Sequence, residues 1–179
     1  QLIRSVLDQG FSKIIVGIGG SATNDGGAGM AEALGAKFLD DEGKQIDKGG
    51  FALNELDQID VSAFCTGIKK VSVEVACDVT NPMIGQNGAS TVFGPQKGAD
   101  MGMVEQLDLA LTNYSNVLTK TFGKDFSHIP GSGAAGGLGG GLLAFLNAKL
   151  RKGADIVLDA LNLDKHLAQA DMVIVGEGQ

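Results

Sequence analysis

The feature that most constrains this chain is the stretch Ile14–Gly27, IIVGIGGSATNDGG, where an apolar, β-branched run breaks into glycine. Five of the eleven residues from Gly17 to Gly27 are glycine. A short apolar run of this kind reads as a buried strand, the starting unit of an α/β layer. The glycines after it free the backbone to approach something that a side chain would obstruct, usually an anion. Glycine is in excess along the whole chain, with 28 residues in 179, roughly twice the usual ~7%.

The rest of the pattern agrees with that start. Leu2–Gln9 reads as a helix stopped by Gly10, and Lys13–Ile18 as the buried strand. Ala28–Leu34 reads as a short helix ended by Gly35, and Lys37–Ile46 as a β-hairpin around DDEGK. Val71–Cys77 alternates with period two, which puts Val71, Val73, Val75 and Cys77 on one side. From Met101 to Phe122, Val104, Leu107, Leu111, Tyr114, Leu118 and Phe122 recur at spacings of three and four, one apolar helix face. Leu142–Leu150 reads as a second helix with Leu142, Leu143, Phe145, Leu146 and Leu150 buried, closed by Arg151, Lys152 and Gly153. Met172–Val175 reads as a last strand. The expected fold is α/β: one layered domain over residues 1–179, with a mixed, partly parallel sheet flanked by helices. The chain opens without methionine and stops just past a strand, so it is expected to be a fragment of a longer protein.

Charge and cysteine usage narrow the partners. The net charge of −7 opposes nucleic acid and anionic membranes, and Arg4 and Arg151 are the only arginines. No run approaches the ~18 apolar residues that span a bilayer. Cys65 and Cys77 form no CxxC pair, and read as reduced, buried thiols of a cytoplasmic protein.

The glycine loop can be set against known phosphate readers. Gly17-x-Gly19-x-x-Ala22 fits the loose dinucleotide fingerprint, with Asp40 near the place of a ribose-binding acid. That fingerprint needs a helix to begin at its second glycine, whereas SATNDGG prolongs the loop and Asp40 falls in a hairpin turn. An NAD-dependent oxidoreductase is therefore the weaker rival, and no GxxxxGK[ST] motif occurs. The loop offers Gly19 and Gly20 amides, with Ser21, Thr23 and Asn24, to a phosphate or carboxylate. Asp25 suits a metal ion or a proton to be removed; a helix N-cap at Asn24 or Asp25 is the plainer alternative. VACDVTNP sets Asp78 just after a strand, and FGPQKGA sets Lys97 on a loop. Such a carboxylate and ammonium are parts that phosphoryl transfer needs, although an N-cap and a solvated lysine explain them as well. The glycines from Gly136 to Gly141 each cost a helix about 1 kcal/mol. Either close backbone packing or a phosphate at a helix N-terminus would account for them.

Four segments carry a resemblance. GIGGSATNDGGAGMAEALG, CDVTNPMIGQNGASTVFGPQKGAD, GSGAAGGLGGGLLAFLNAKL and ADMVIVGEGQ resemble, in order and spacing, the bacterial glycerate kinases of type 1. The resemblance covers nearly the whole chain. It implies ATP- and Mg²⁺-dependent phosphorylation of D-glycerate, expected to give 2-phosphoglycerate, by a protein of two α/β lobes. This chain then corresponds to the middle of such a protein and, with part of the site outside it, is expected to be inactive alone. The resemblance places GIGGSATNDGG beside the cleft between lobes. It makes Asp25 and Asp78 the candidate catalytic carboxylates. Gly19, Gly20, Ser21, Asn24 and Lys97 become the phosphate or substrate ligands, with Asp78 and Glu177 as metal ligands. It leaves a homodimer open, and a non-catalytic nucleotide- or organic-acid-binding lobe is the alternative reading.

Overall fold

Parallel strands organise the chain, as the apolar runs require. The computed structural model describes residues 1–176. In chain order the elements are α1 (Leu2–Asp8), β1 (Lys13–Gly17), α2 (Ala28–Ala33), β2 (Lys37–Leu39), β3 (Gln58–Asp60), β4 (Ser72–Ala76), α3 (Ala89–Phe93), α4 (Met101–Phe122), α5 (Leu138–Leu146), β5 (Lys149–Arg151), α6 (Gly153–Ala160) and α7 (Leu163–Leu167). Tighter 3-10 turns lie at Gly50–Glu55, Thr66–Lys70 and Pro95–Lys97. The main sheet runs β1-β4-β5, all parallel, with Ile14 opposite Val73 and Val75 between Val16 and Leu150. β2 and β3 pair antiparallel in a separate sheet. The parallel and antiparallel parts of the expected layer thus stand apart.

The α4 helix spans the residues its pattern predicts. The Asp100 carboxylate accepts from the Met103 amide at 2.8 Å, capping its start, and Gly123 ends it in the left-handed region. Its stripe of Val104, Leu107, Leu111, Tyr114 and Leu118 is buried, and it packs on the Gly50–Glu55 turn and on α3. Each such side chain contributes about 1.5–3 kcal/mol of burial. Phe145 of α5 closes the core beyond, its ring 5.1 Å from Phe122, 5.7 Å from Phe64 and 6.1 Å from Phe38.

Three local expectations need correction. The second strong helix ends at Leu146, because Asn147 takes the left-handed conformation with its amide on the Leu142 carbonyl. Lys149–Arg151 then extends and pairs with Glu74–Ala76, so Arg151 lies in a strand and Gly153 starts α6. Leu142, Phe145 and Leu146 are buried as expected; Leu143 and Leu150 are only half-buried. The Lys37–Ile46 hairpin survives as a turn with a single bridge, Leu39 to Gln45, while the pairing partner of β2 is the distant β3. Met172–Val175 is not a strand: among the described residues it has no pairing partner and its side chains are exposed.

The glycines of the Gly131–Gly141 segment serve close packing. A Cβ on Gly133 would land on the Pro82 carbonyl oxygen, one on Gly136 on that of Thr23, and one on Gly141 on that of Gly26. This segment presses the loops that follow β1 and β4 into place.

Candidate functional site

The site lies where a parallel sheet leaves room for one, beyond the carboxyl ends of its strands. There the loop after β1 (Ile18–Ser21), the residues after β4 (Cys77–Val79) and the Pro95–Lys97 turn enclose a cleft of about 260 Å³. Gly19, Gly20, Ser21, Asp78 and Lys97, all predicted from sequence, line this one cleft. Asn24 and Asp25 line a different hollow of about 500 Å³, which also includes Lys48 and Phe51.

Lys97 is the hinge of the arrangement. Its Nζ donates to the Ser21 hydroxyl at 2.9 Å and to the Thr23 carbonyl at 2.6 Å, so it is no freely solvated lysine. Burial pushes its pKa down, and the nearby Asp25 carboxylate acts against that. A half-buried ammonium with neutral partners keeps most of its charge available to an anion.

The glycines around it fall into two kinds. Gly17 and Gly19 have no left-handed backbone, and a Cβ on either would meet no atom within 4 Å. Nothing within the described residues requires glycine at either position. Gly26 is the opposite case. A Cβ there would run into the Tyr114 ring, whose hydroxyl donates to the Gly26 carbonyl at 3.1 Å. Burial, and then the Asp25 charge, push the Tyr114 hydroxyl well above its ordinary pKa, so it remains a donor.

Both aspartates make the hydrogen bonds of caps. Asp25 accepts from the Gly27 and Gly29 amides, each at 3.1 Å, at the start of α2. Asp78 Oδ1 accepts from the Gly153 amide at 2.8 Å, and so caps α6, 75 residues away, rather than the next turn. Among the described residues its Oδ2 carries no hydrogen bond, which leaves one hard oxygen donor at the cleft. No three His, Cys, Asp or Glu side chains gather among the described residues. Magnesium does not need such a cage, since one or two carboxylates and substrate phosphates hold it. Glu177, the other predicted metal ligand, lies outside the described residues.

Sequence reasoning missed two supporting side chains. Tyr114 reads as one more apolar position of the α4 stripe, though a buried tyrosine hydroxyl usually finds a polar partner. Ser90, fully buried in α3, accepts from Asn24 Nδ2 at 2.9 Å, and nothing local in GASTVFG announces it. The dinucleotide match is set aside as expected: no helix follows Gly19 before Ala28, and Asp40 takes the Glu42 and Lys44 amides in a turn. Cys65 and Cys77 are free and half-buried; burial pushes the Cys77 thiol up, and Asp78 adds to that. No helix among the described residues is long and apolar enough to cross a membrane.

Comparison with known proteins agrees with the motifs. The model of the Glycerate kinase family matches residues 1–179. Glycerate 2-kinase of Escherichia coli (strain K12) is 51% identical over 179 residues, all of this chain and 47% of the relative. Glycerate kinase of Bacillus subtilis (strain 168) is 49% identical, with the same coverage. The crystal structure of a protein assigned as glycerate kinase 2 from Salmonella typhimurium LT2 matches with a TM-score of 0.94 and 53% identity. That match covers 99% of this chain and 48% of that one. The chain therefore spans about half the length of the relatives it matches.

Proposed function

This chain belongs to the glycerate kinase family, and from that premise we propose that it forms the middle lobe of a two-lobed cytoplasmic kinase. That kinase transfers the terminal phosphoryl group of ATP to D-glycerate, at the 2-hydroxyl. One observation carries the reading. At the open ends of β1 and β4, the Lys97 ammonium is held by Ser21 and Thr23 beside glycines whose missing side chains leave the cleft clear.

Each group has a part in that chemistry. The amides of Gly19, Gly20 and Ser21 receive phosphate oxygens, and Lys97 offsets the negative charge that gathers in the transition state. Mg²⁺ bound with the phosphates would neutralise charge on the oxygens between them, and Asp78 Oδ2 is the group on this chain that fits it. Asp25, whose carboxylate is fixed by two backbone amides, lines the neighbouring hollow close enough for its charge to act on Lys97. Glycerate seated there would bring its hydroxyl, a poor nucleophile until its proton is taken up, between that carboxylate and the phosphate at Lys97. The residues outside this chain supply the remainder of the site.

The test is product analysis. The full-length protein with ATP, Mg²⁺ and D-glycerate should form ADP and 2-phosphoglycerate, read by ³¹P and ¹H NMR, while the 179-residue chain alone turns nothing over. Formation of the 3-phosphate would overturn the assigned hydroxyl, and no turnover by the full-length protein would overturn the reading itself.

A further inference from the structure

We infer that Ser90 is a positioning residue, which sets the register of the Ser21–Asp25 loop against Lys97 through its hydrogen bond to Asn24. The inference rests on the phosphoryl-transfer reading of this cleft. Ser90 and Lys97 sit at two ends of one rigid unit. The Gly94 amide donates to the Ser90 carbonyl at 2.8 Å, and the Lys97 amide to the Gly94 carbonyl at 2.9 Å. A Cβ on Gly94 would land on the Ser90 carbonyl oxygen, so the turn between them is as tight as glycine allows. The loop after β1 touches this unit at two points, Asn24 Nδ2 on Ser90 Oγ and Lys97 Nζ on Ser21 and Thr23. Two attachments fix an angle where one fixes only a distance. Asn24 is followed by Asp25, so the same attachment places the carboxylate that takes the Gly27 and Gly29 amides.

The pair is poorly built for stability alone. Ser90 is fully buried, and Asn24 Oδ1 is buried with no hydrogen-bond partner. A half-satisfied amide is worse for folding than a well-packed apolar pair. What a polar contact provides here, and an apolar one does not, is a directional link between the loop after β1 and the unit from α3 to Lys97, which both reach the cleft through Ser21, Phe93 and Lys97.

The experiment compares wild-type full-length protein with Ser90→Ala, Ser90→Cys and Lys97→Ala. Lys97 titration is followed by ¹³C NMR of labelled lysine, beside kcat and both KM values. With Ser90→Ala, Lys97 should titrate closer to an ordinary lysine as its partners drift away. Its kcat should fall about 10-fold or more, with both KM values held within about twofold, as expected when groups are slightly misaligned. Ser90→Cys, which keeps the shape and a weaker acceptor, should fall between Ser90→Ala and wild type. Unchanged Lys97 titration and kcat in Ser90→Ala overturn the inference. So does a shifted titration with unchanged kcat, since the register would then not matter to the reaction. A wild-type kcat in Lys97→Ala would instead overturn the reading of the cleft, while the NMR comparison would still decide whether Ser90 places Lys97.

Discussion

Replacing Gly136 by alanine, and Gly19 by alanine in parallel, separates glycines that build the fold from glycines that face a ligand. At Gly136, φ is +70°, and the added Cβ would meet the Thr23 carbonyl oxygen and come within 2.7 Å of Asn24 Cα. These are backbone atoms and cannot swing aside. Left-handed backbone costs a non-glycine residue about 1–2 kcal/mol, and forcing two packed backbones apart adds about 1–3 kcal/mol. The stiffer unfolded chain returns about 0.4–1 kcal/mol. The net loss is about 1–4.5 kcal/mol, a fall in Tm of roughly 2–18 °C for a chain of this size. At Gly19 neither term operates, because φ is not left-handed and no atom lies within 4 Å. Gly19→Ala should therefore fold at least as stably as wild type, yet bind ATP more weakly in the full-length protein. Thermal unfolding by circular dichroism and nucleotide titration by calorimetry read the two effects. A Gly136→Ala protein with wild-type Tm would refute the packing argument. Undiminished ATP affinity in Gly19→Ala would refute the ligand argument.

Three further outcomes follow from the same contacts. Phe145→Ala, at the centre of three aromatic neighbours, should lose about 3–5 kcal/mol in urea unfolding, and a loss under about 1 kcal/mol would put the ring outside the core. Asp78→Asn keeps the acceptor that caps α6 and should lower kcat of the full-length protein about 10²–10⁴-fold with little change in KM. Asp78→Ala should in addition lose about 0.5–2 kcal/mol of stability, and near wild-type kcat in Asp78→Asn would leave only the cap. The lowered pKa of Lys97 means that the unfolded chain binds its proton more tightly than the folded one, so this residue's contribution to stability rises with pH between its folded value and the ordinary lysine range. Wild type should gain on Lys97→Met in unfolding free energy as pH rises toward the ordinary lysine value of ~10.5, and a gap moving the other way would mean the ammonium is favoured where it sits.

Local signals in the sequence carried the elements that depend on neighbours along the chain. The α4 helix was legible because its cap, its stripe and its glycine stop all lie within it. The β4 alternation was legible for the same reason, and both sheet faces followed from it. What failed depended on distant partners. Nothing near Lys149 says that Glu74–Ala76 waits to pair with it, and apolar Leu150 continued the helical spacing past the Asn147 stop. In the same way KFL finds its partner in Gln58–Asp60, well past the DDEGK turn next to it. At the site, residue types singled out Gly19, Ser21, Asp78 and Lys97, and the fold gathers these four along one cleft, although Asp78 serves there as a helix cap too. Residue types were not enough to show that Asp25 faces another hollow, or that Asp78 caps a helix 75 residues on. Both Asp25 oxygens take backbone amides, so asparagine there loses one acceptor as well as the charge.

The central claim is that the cleft between the Gly19–Ser21 loop, Asp78 and Lys97 holds the phosphoryl group in transfer. A crystal structure of the full-length protein with Mg²⁺, D-glycerate and a non-hydrolysable ATP analogue tests it most directly. The account predicts a terminal-phosphate oxygen within hydrogen-bond distance of Lys97 Nζ and of an amide among Gly19, Gly20 and Ser21, with Asp78 Oδ2 on the metal or one water from it. A complex in which the terminal phosphate and the glycerate hydroxyl both lie elsewhere, with Lys97 still bonded only to Ser21 and Thr23, would contradict it.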